Sequence, residues 1–168
     1  MNTKIIFFVL CTLLLSCSVS PVFVNENGKN WDLWESIDVP QKVNLACELR
    51  PLDEHQKNVM FKYDIQVTGN RLPNLKLNSF FIVSENGDTI PIKIQCFFNK
   101  QVANYDCTIP LFCKSYNGRK GQLMISVLFS LNKPIKPIYI YYDMDVGTRH
   151  FIVKSRYKKR VNVDIRGF

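Results

Sequence analysis

Residues 75–98, LKLNSFFIVSENGDTIPIKIQCFF, decide the fold class. Leu75 to Ser84 is a dense apolar run of strand length. Glu85-Asn86-Gly87-Asp88 then supplies an Asn-Gly pair, whose tolerance of positive φ suits a tight hairpin turn. Thr89 to Phe98 follows, with Ile90, Ile92, Ile94, Cys96 and Phe98 on one face at period two. Two extended runs around a tight turn are an antiparallel hairpin, and this one sets the reading of its neighbours.

Upstream, Val43, Leu45, Cys47 and Leu49 alternate, as do Val59, Phe61, Tyr63, Ile65 and Val67. Downstream, the spacing predicts strands over 104–109, 123–131, 138–144, 151–157 and 161–165. Asn132-Lys133-Pro134 and Asp145-Val146-Gly147-Thr148 read as turns between them. Eight or nine strands at spacings near ten residues, with no long amphipathic helix, predict an all-β fold: an antiparallel two-layer β-sandwich, immunoglobulin-like. A partly open barrel is the alternative. In the run Tyr139-Ile140-Tyr141-Tyr142-Asp143 both faces are apolar or aromatic. The expectation is therefore a central strand buried on both sides, with an exposed tyrosine stripe for glycan or peptide as the second reading.

The N-terminus carries the cellular address. Met1 to Lys4 holds one positive charge, and Ile5 to Leu15 is almost wholly apolar. Eleven helical residues rise only about 16 Å, roughly half a bilayer core, so a cleaved export signal is expected rather than a span. Ser18-Val19-Ser20 offers small residues for ordinary signal peptidase, but Pro21 would follow that cut. Leu14-Leu15-Ser16-Cys17 instead resembles a bacterial lipobox. Leu14, Ser16 and Cys17 match the motif, and Leu15 is bulkier than usual. The resemblance covers the first 17 residues. It implies a lipid on Cys17 and, with two or more acyl chains, stable attachment to a membrane of the bacterial cell envelope, on its periplasmic or surface side. The expected organisation is a signal peptide (1–16), a lipid-anchored tether with a short helical turn at Trp31 to Ile37 (17–38), and the β-sandwich domain (39–168). Asn30 would cap the turn, and Trp31 and Trp34 would share one side as a plug on the sheet or as a sugar platform.

An oxidising compartment gives meaning to the remaining cysteines, Cys47, Cys96, Cys107 and Cys113. With a turn centred between Gln101 and Val102, Cys96 and Cys107 fall opposite each other on one face. That favours a Cys96–Cys107 disulfide and leaves Cys47–Cys113; four buried free thiols are the alternative. Metal-ligand spacing is absent from the sequence, and no cofactor is expected.

The formal charge is +8, falling to +7 when Lys4 leaves with the leader. Lys154, Arg156 and Lys158 share a strand face, with Lys159 and Arg160 following. They read either as a surface for anionic envelope partners or as the solvated face of an edge strand. Export argues against nucleic acid as a partner. Asp143 and Asp145 share one side of a strand and with Asp106 could offer oxygens to calcium, which needs six to eight, but strand-end aspartates are the plainer reading. No catalytic motif is present. The expected function is non-enzymatic: an envelope binding or assembly module for a protein or glycan. The alternative is a secreted small hydrolase or accessory factor using His55 or His150.

Overall fold

The computed structural model describes residues 16–38, 42–53, 58–104, 106–114, 121–132 and 136–166; the side chains of 16–21, 53, 58 and 161–166 lie outside the description. The leader and His55 are therefore outside it as well. The chain is all-β, in two antiparallel sheets. The first has the order β1 (Ser16–Val24), β12 (Arg149–Arg166), β11 (Ile138–Val146), β5 (Leu75–Ser84), β6 (Thr89–Ile90), with β9 (Leu111–Cys113) also pairing β5. The second has the order β2 (Trp31–Ile37), β3 (Val43–Asp53), β4 (Asn58–Gly69), β10 (Gly121–Asn132), β7 (Ile92–Phe98), β8 (Gln101–Asn104). Phe23–Lys159 forms one compact unit. In the other unit, the described residues are the outer ends of β1 (16–22) and of β12 (160–166).

Within Phe23–Lys159 the inner faces of the two sheets share one core, which gives a β-sandwich-like fold. Leu45, Cys47, Tyr63, Ile65, Ile125 and Val127 enter it from one sheet, and Leu77, Ile82, Ile140, Tyr142, Met144 and Tyr157 from the other. The period-two pattern drives this arrangement. On β11 every second residue from Ile138 to Val146 is buried, because a strand's successive side chains alternate sides. The hairpin at 85–88 forms as its sequence requires. Gly87 adopts φ 91°, Ser84 N–H donates to Asp88 O at 2.8 Å, and Ile82 pairs with Ile90.

Several elements differ from expectation. Trp31–Ile37 is a strand, not a helical turn, and 17–24 of the expected tether lies in β1. The Trp31/Trp34 spacing of three imitates a helix face. In β2 it is produced by a bulge between Trp31 and Leu33 that turns Asp32 toward the interior. The expected strand Thr89 to Phe98 is split at Pro91: β6 pairs in the first sheet and β7 in the second. Proline lacks the N–H a continuing ladder needs.

The inter-sheet core carries an unusual polar cluster. Tyr63 donates to Asp32 Oδ2, and the Tyr63 and Tyr142 hydroxyls share a hydrogen bond at 2.9 Å. Burial pushes the phenols of Tyr63, Tyr142 and Tyr157 above the ordinary value, with neighbouring negative charge adding to it. Burial likewise pushes the Cys47 thiol, which hydrogen-bonds Tyr142, up to about 12. All four phenol and thiol groups stay protonated.

Candidate functional site

The outward face of the first sheet is the candidate site. On β11 the residues alternating against the core are Tyr139, Tyr141, Asp143 and Asp145. Register places Tyr139 between Val83 and Arg156, and Tyr141 between Phe81 and Lys154. Phe81 and Tyr141 stack at 4.8 Å with planes 10° apart, and the Tyr139 ring follows at 6.5 Å. Lys154 Nζ lies 5.2 Å from the centre of the Tyr141 ring, and the Arg156 guanidinium lies 6.0 Å from that of Tyr139. Each cation sits over the negative face of a ring, an attraction of about 0.5–1 kcal/mol at exposed positions. The result is a half-exposed aromatic row beneath two cations. Tyr139 and Tyr141 are therefore not core residues, as the two-sided strand reading expected; on that strand Tyr142 is the core tyrosine.

A pocket of about 260 Å³ opens beside this row, lined by Asn25, Glu26, Asn27, Tyr139, Lys154 and Arg156. The turn after β1 supplies its first three residues. The buried Asn25 side chain holds that turn. Its Oδ1 accepts from the N–H groups of Asn27 and Lys29 at 3.0 and 3.1 Å, and its Nδ2 donates to Trp31 O at 2.8 Å. Gly28 takes φ 74°, closing the turn and leaving Glu26 and Asn27 exposed. Arg156 contacts Glu85 at 3.8 Å, yet its Nε is buried with no acceptor among the described residues. The pocket thus presents a tyrosine, amide groups, two cations and the exposed Glu26.

The opposite end of the same face is acidic. A bulge between Asp143 and Met144 leaves Asn78 as the extra residue of β5. Its Nδ2 donates to Asp143 Oδ1 at 2.8 Å and to Asp145 Oδ2 at 3.0 Å. His150 Nδ1 lies 2.7 Å from Asp145 Oδ1. That bond raises the imidazole above its ordinary value of 6.5 and holds the Asp145 carboxyl below 3.8. His150, the described histidine of the hydrolase alternative, is half exposed on an open sheet face. Asp106 is elsewhere, paired with Lys93 of the second sheet at 3.0 Å, so the three aspartates weighed for calcium do not meet. Among the described residues no group of three or more His, Cys, Asp or Glu is arranged to hold a metal ion.

Of the basic residues singled out in the sequence, Lys154 and Arg156 line the pocket, and Lys158 and Lys159 are exposed further along β12. Arg160 is exposed in the other unit. The pocket's Asn25-Glu26-Asn27 turn was missed because its polar composition reads as a tether. The signal available was Asn-x-Asn-Gly, an Asx-turn pattern.

The expected disulfides are not formed: Cys47, Cys96, Cys107 and Cys113 are free thiols. The turn between β7 and β8 is at Asn99 and Lys100, both at positive φ, two residues before the expected centre. Cys96 therefore pairs with Asn104 rather than Cys107. The Cys107 sulfur still reaches that of Cys96, at 3.3 Å, because Asp106 at φ 53° turns the chain back and Cys107 N–H bonds Ile94 O. A Cys47–Cys113 bond fails on distance. Cys47, Ile65, Ile125 and Cys96 occupy one row across four strands, which puts Cys47 about 14 Å from Cys96. Cys113 hydrogen-bonds Cys96, at the far end of that row.

No family model matches the chain, and no curated protein matches it. Solved structures to which it is similar include the Northeast Structural Genomics Consortium target SoR45, at 13% identity and a TM-score of 0.30 over 70% of this chain and 84% of that one. Another is the putative ApaA protein from Bordetella pertussis, at 13% identity and a TM-score of 0.29 over 88% of this chain and 90% of that one.

Proposed function

We propose that the protein is a lipoprotein of the bacterial cell envelope, anchored through Cys17, whose immunoglobulin-like sandwich is a non-enzymatic binding module for an acidic glycan. The observation that carries the binding reading is the outward row Phe81–Tyr141–Tyr139 beneath Lys154 and Arg156, beside the pocket. The half-exposed rings offer apolar surface and hydroxyl groups to a sugar, while the cations of Lys154 and Arg156 attract carboxylate or phosphate substituents. Lys158 and Lys159 add positive charge along β12, extending the attraction for an anionic polymer. The immunoglobulin-like reading is supported by the chain's repeated crossing between sheets: β4 to β5, β6 to β7 and β10 to β11, with β10 returning between β4 and β7. The anchor reading is supported by the leader and lipobox-like residues together. A cut before Cys17 would remove only Ser16 from β1.

Two measurements test this. Mass spectrometry of the mature N-terminus, from cells expressing the full chain, is expected to find a diacylglyceryl-modified Cys17. A chain starting at unmodified Pro21, or retaining Met1, rejects the anchor. An array of neutral and acidic glycans is expected to retain the protein on uronate- or phosphate-bearing members, and retention weakens as salt rises. Equal retention on neutral and acidic glycans, or none, rejects the ligand class. Capture of an envelope protein without glycan retention would favour an assembly role instead.

A further inference from the structure

We propose that Cys96, Cys107 and Cys113 form a thiol–disulfide exchange site in which Cys96 pairs alternately with Cys107 and with Cys113. The proposal is independent of the glycan surface and of the lipid anchor. Three thiols from separate elements converge: Cys96 on β7 of the second sheet, Cys107 in the segment after β8, and Cys113 on β9, which pairs with β5 in the first sheet. Their hydrogen bonds share Cys96 as a common partner. Cys107 donates to Cys96 at 3.3 Å, and Cys96 in turn bonds Cys113. Cys96 is buried, while Cys107 and Cys113 are partly exposed. A shared centre suits exchange, because each outer sulfur can attack the middle one.

The chemistry balances with an external disulfide, such as oxidised glutathione, as oxidant. The Cys107 thiolate attacks it, forming a mixed disulfide and releasing one glutathione thiol. Cys96 then attacks the Cys107 sulfur and releases the second. Two protein thiols lose two electrons and two protons, and the reagent disulfide becomes two thiols. In the exchange step the Cys113 thiolate attacks Cys96, one S–S bond forms as another breaks, and Cys107 leaves as the thiolate, with no net redox change. The two states differ structurally. Cys96–Cys107 ties β7 to the segment beside it, whereas Cys96–Cys113 ties one sheet to the other. The two loops closed are similar in length, so loop closure favours neither strongly.

The test equilibrates the full chain in glutathione redox buffers, blocks free thiols with an alkylating reagent at low pH, and maps the linked peptides by mass spectrometry. The wild type is expected to give both Cys96–Cys107 and Cys96–Cys113 linkages, within about tenfold of each other. Cys107→Ser should give Cys96–Cys113 alone, and Cys113→Ser should give Cys96–Cys107 alone. Cys96→Ser should abolish both, with Cys107 and Cys113 alkylated. Circular dichroism of the Cys107→Ser and Cys113→Ser chains confirms that the comparison is between folded proteins. A single linkage in the wild type that its serine variant does not replace overturns the proposal. So does a Cys107–Cys113 bond in comparable yield, or persistence of all three thiols in oxidising buffer. A stoichiometric bound metal that protects the three thiols from alkylation also overturns it, in favour of metal binding.

Discussion

Tyr141 and Tyr142 are adjacent on β11 and face opposite ways. Tyr142 points into the sandwich, stacks on Phe80 at 5.7 Å, and meets Tyr63, Cys47 and the Asp32 cluster. Tyr141 points out, stacks on Phe81 at 4.8 Å, and carries Lys154 over its ring. Two consecutive aromatic pairs, Phe80–Tyr142 and Phe81–Tyr141, thus cross the same two strands on opposite faces. One residue of phase separates a side chain that holds the fold together from one that is available to a ligand. The same chemistry serves both, and water decides which. Inside, the hydroxyl must find a partner and the ring fills volume; outside, the ring stacks on its neighbour and carries an exposed cation.

The comparison breaks most visibly on the inner side. Tyr142→Ala is expected to lower stability by about 3–5 kcal/mol, since it removes a large ring from a packed core and strands its polar neighbours. Urea denaturation measures this, and a loss below about 1 kcal/mol would mean that Tyr142 does not hold the two sheets together. Tyr63→Phe removes only the hydroxyl that satisfies Asp32 Oδ2 and meets Tyr142. A loss of about 1–3 kcal/mol is expected, the cost of leaving a buried acceptor unpaired. Tyr141→Ala should cost about 1 kcal/mol, the value of an exposed aromatic pair. Were it to match Tyr142→Ala, the two faces would be equivalent and the contrast would fail.

The smallest effect is at the acidic end of the outer face. His150 titrates above 6.5 because of its Asp145 partner, and Asp145 titrates below 3.8. The His150 contribution to stability is present below pH 6.5 and is lost as pH rises through its raised folded value. The Asp145 contribution is present above pH 3.8 and is lost as pH falls through its lowered folded value. The pair therefore contributes fully only between these limits. Nuclear magnetic resonance titration should find the His150 midpoint above 6.5 and returning toward it in Asp145→Asn. An unchanged midpoint would show that the pair does not form in solution.

How much of this was legible in the sequence depends on whether a local pattern had one reading. The hairpin at 85–88 had a single good solution, and alternation in 43–49, 59–67 and 123–131 named the inward residues correctly. The Tyr139–Tyr142 run did not say which face was wet, because both of its faces are aromatic. Only register against Phe81 and Lys154 settles that. Asn99-Lys100 gave little turn signal, since both residues adopt positive φ without a glycine, and the Cys96 pairing slipped accordingly. Trp31 to Ile37 imitated a helix because a bulge displaced its period. The pocket was invisible for a different reason: Asn25 and Arg156 are brought together by the sheet, not by any spacing along the chain.

The direct test of the outward row is a calorimetric titration of the full chain with oligogalacturonate, a uronate polymer, at low and at high salt. Saturable, salt-sensitive binding is expected, weakened at least tenfold by Tyr141→Ala and by Arg156→Ala while the thermal midpoint of each variant stays within a few degrees of the parent. If both variants bind as the parent does, or if the parent gives no heat of binding, the aromatic and cationic face is not a site for acidic sugars.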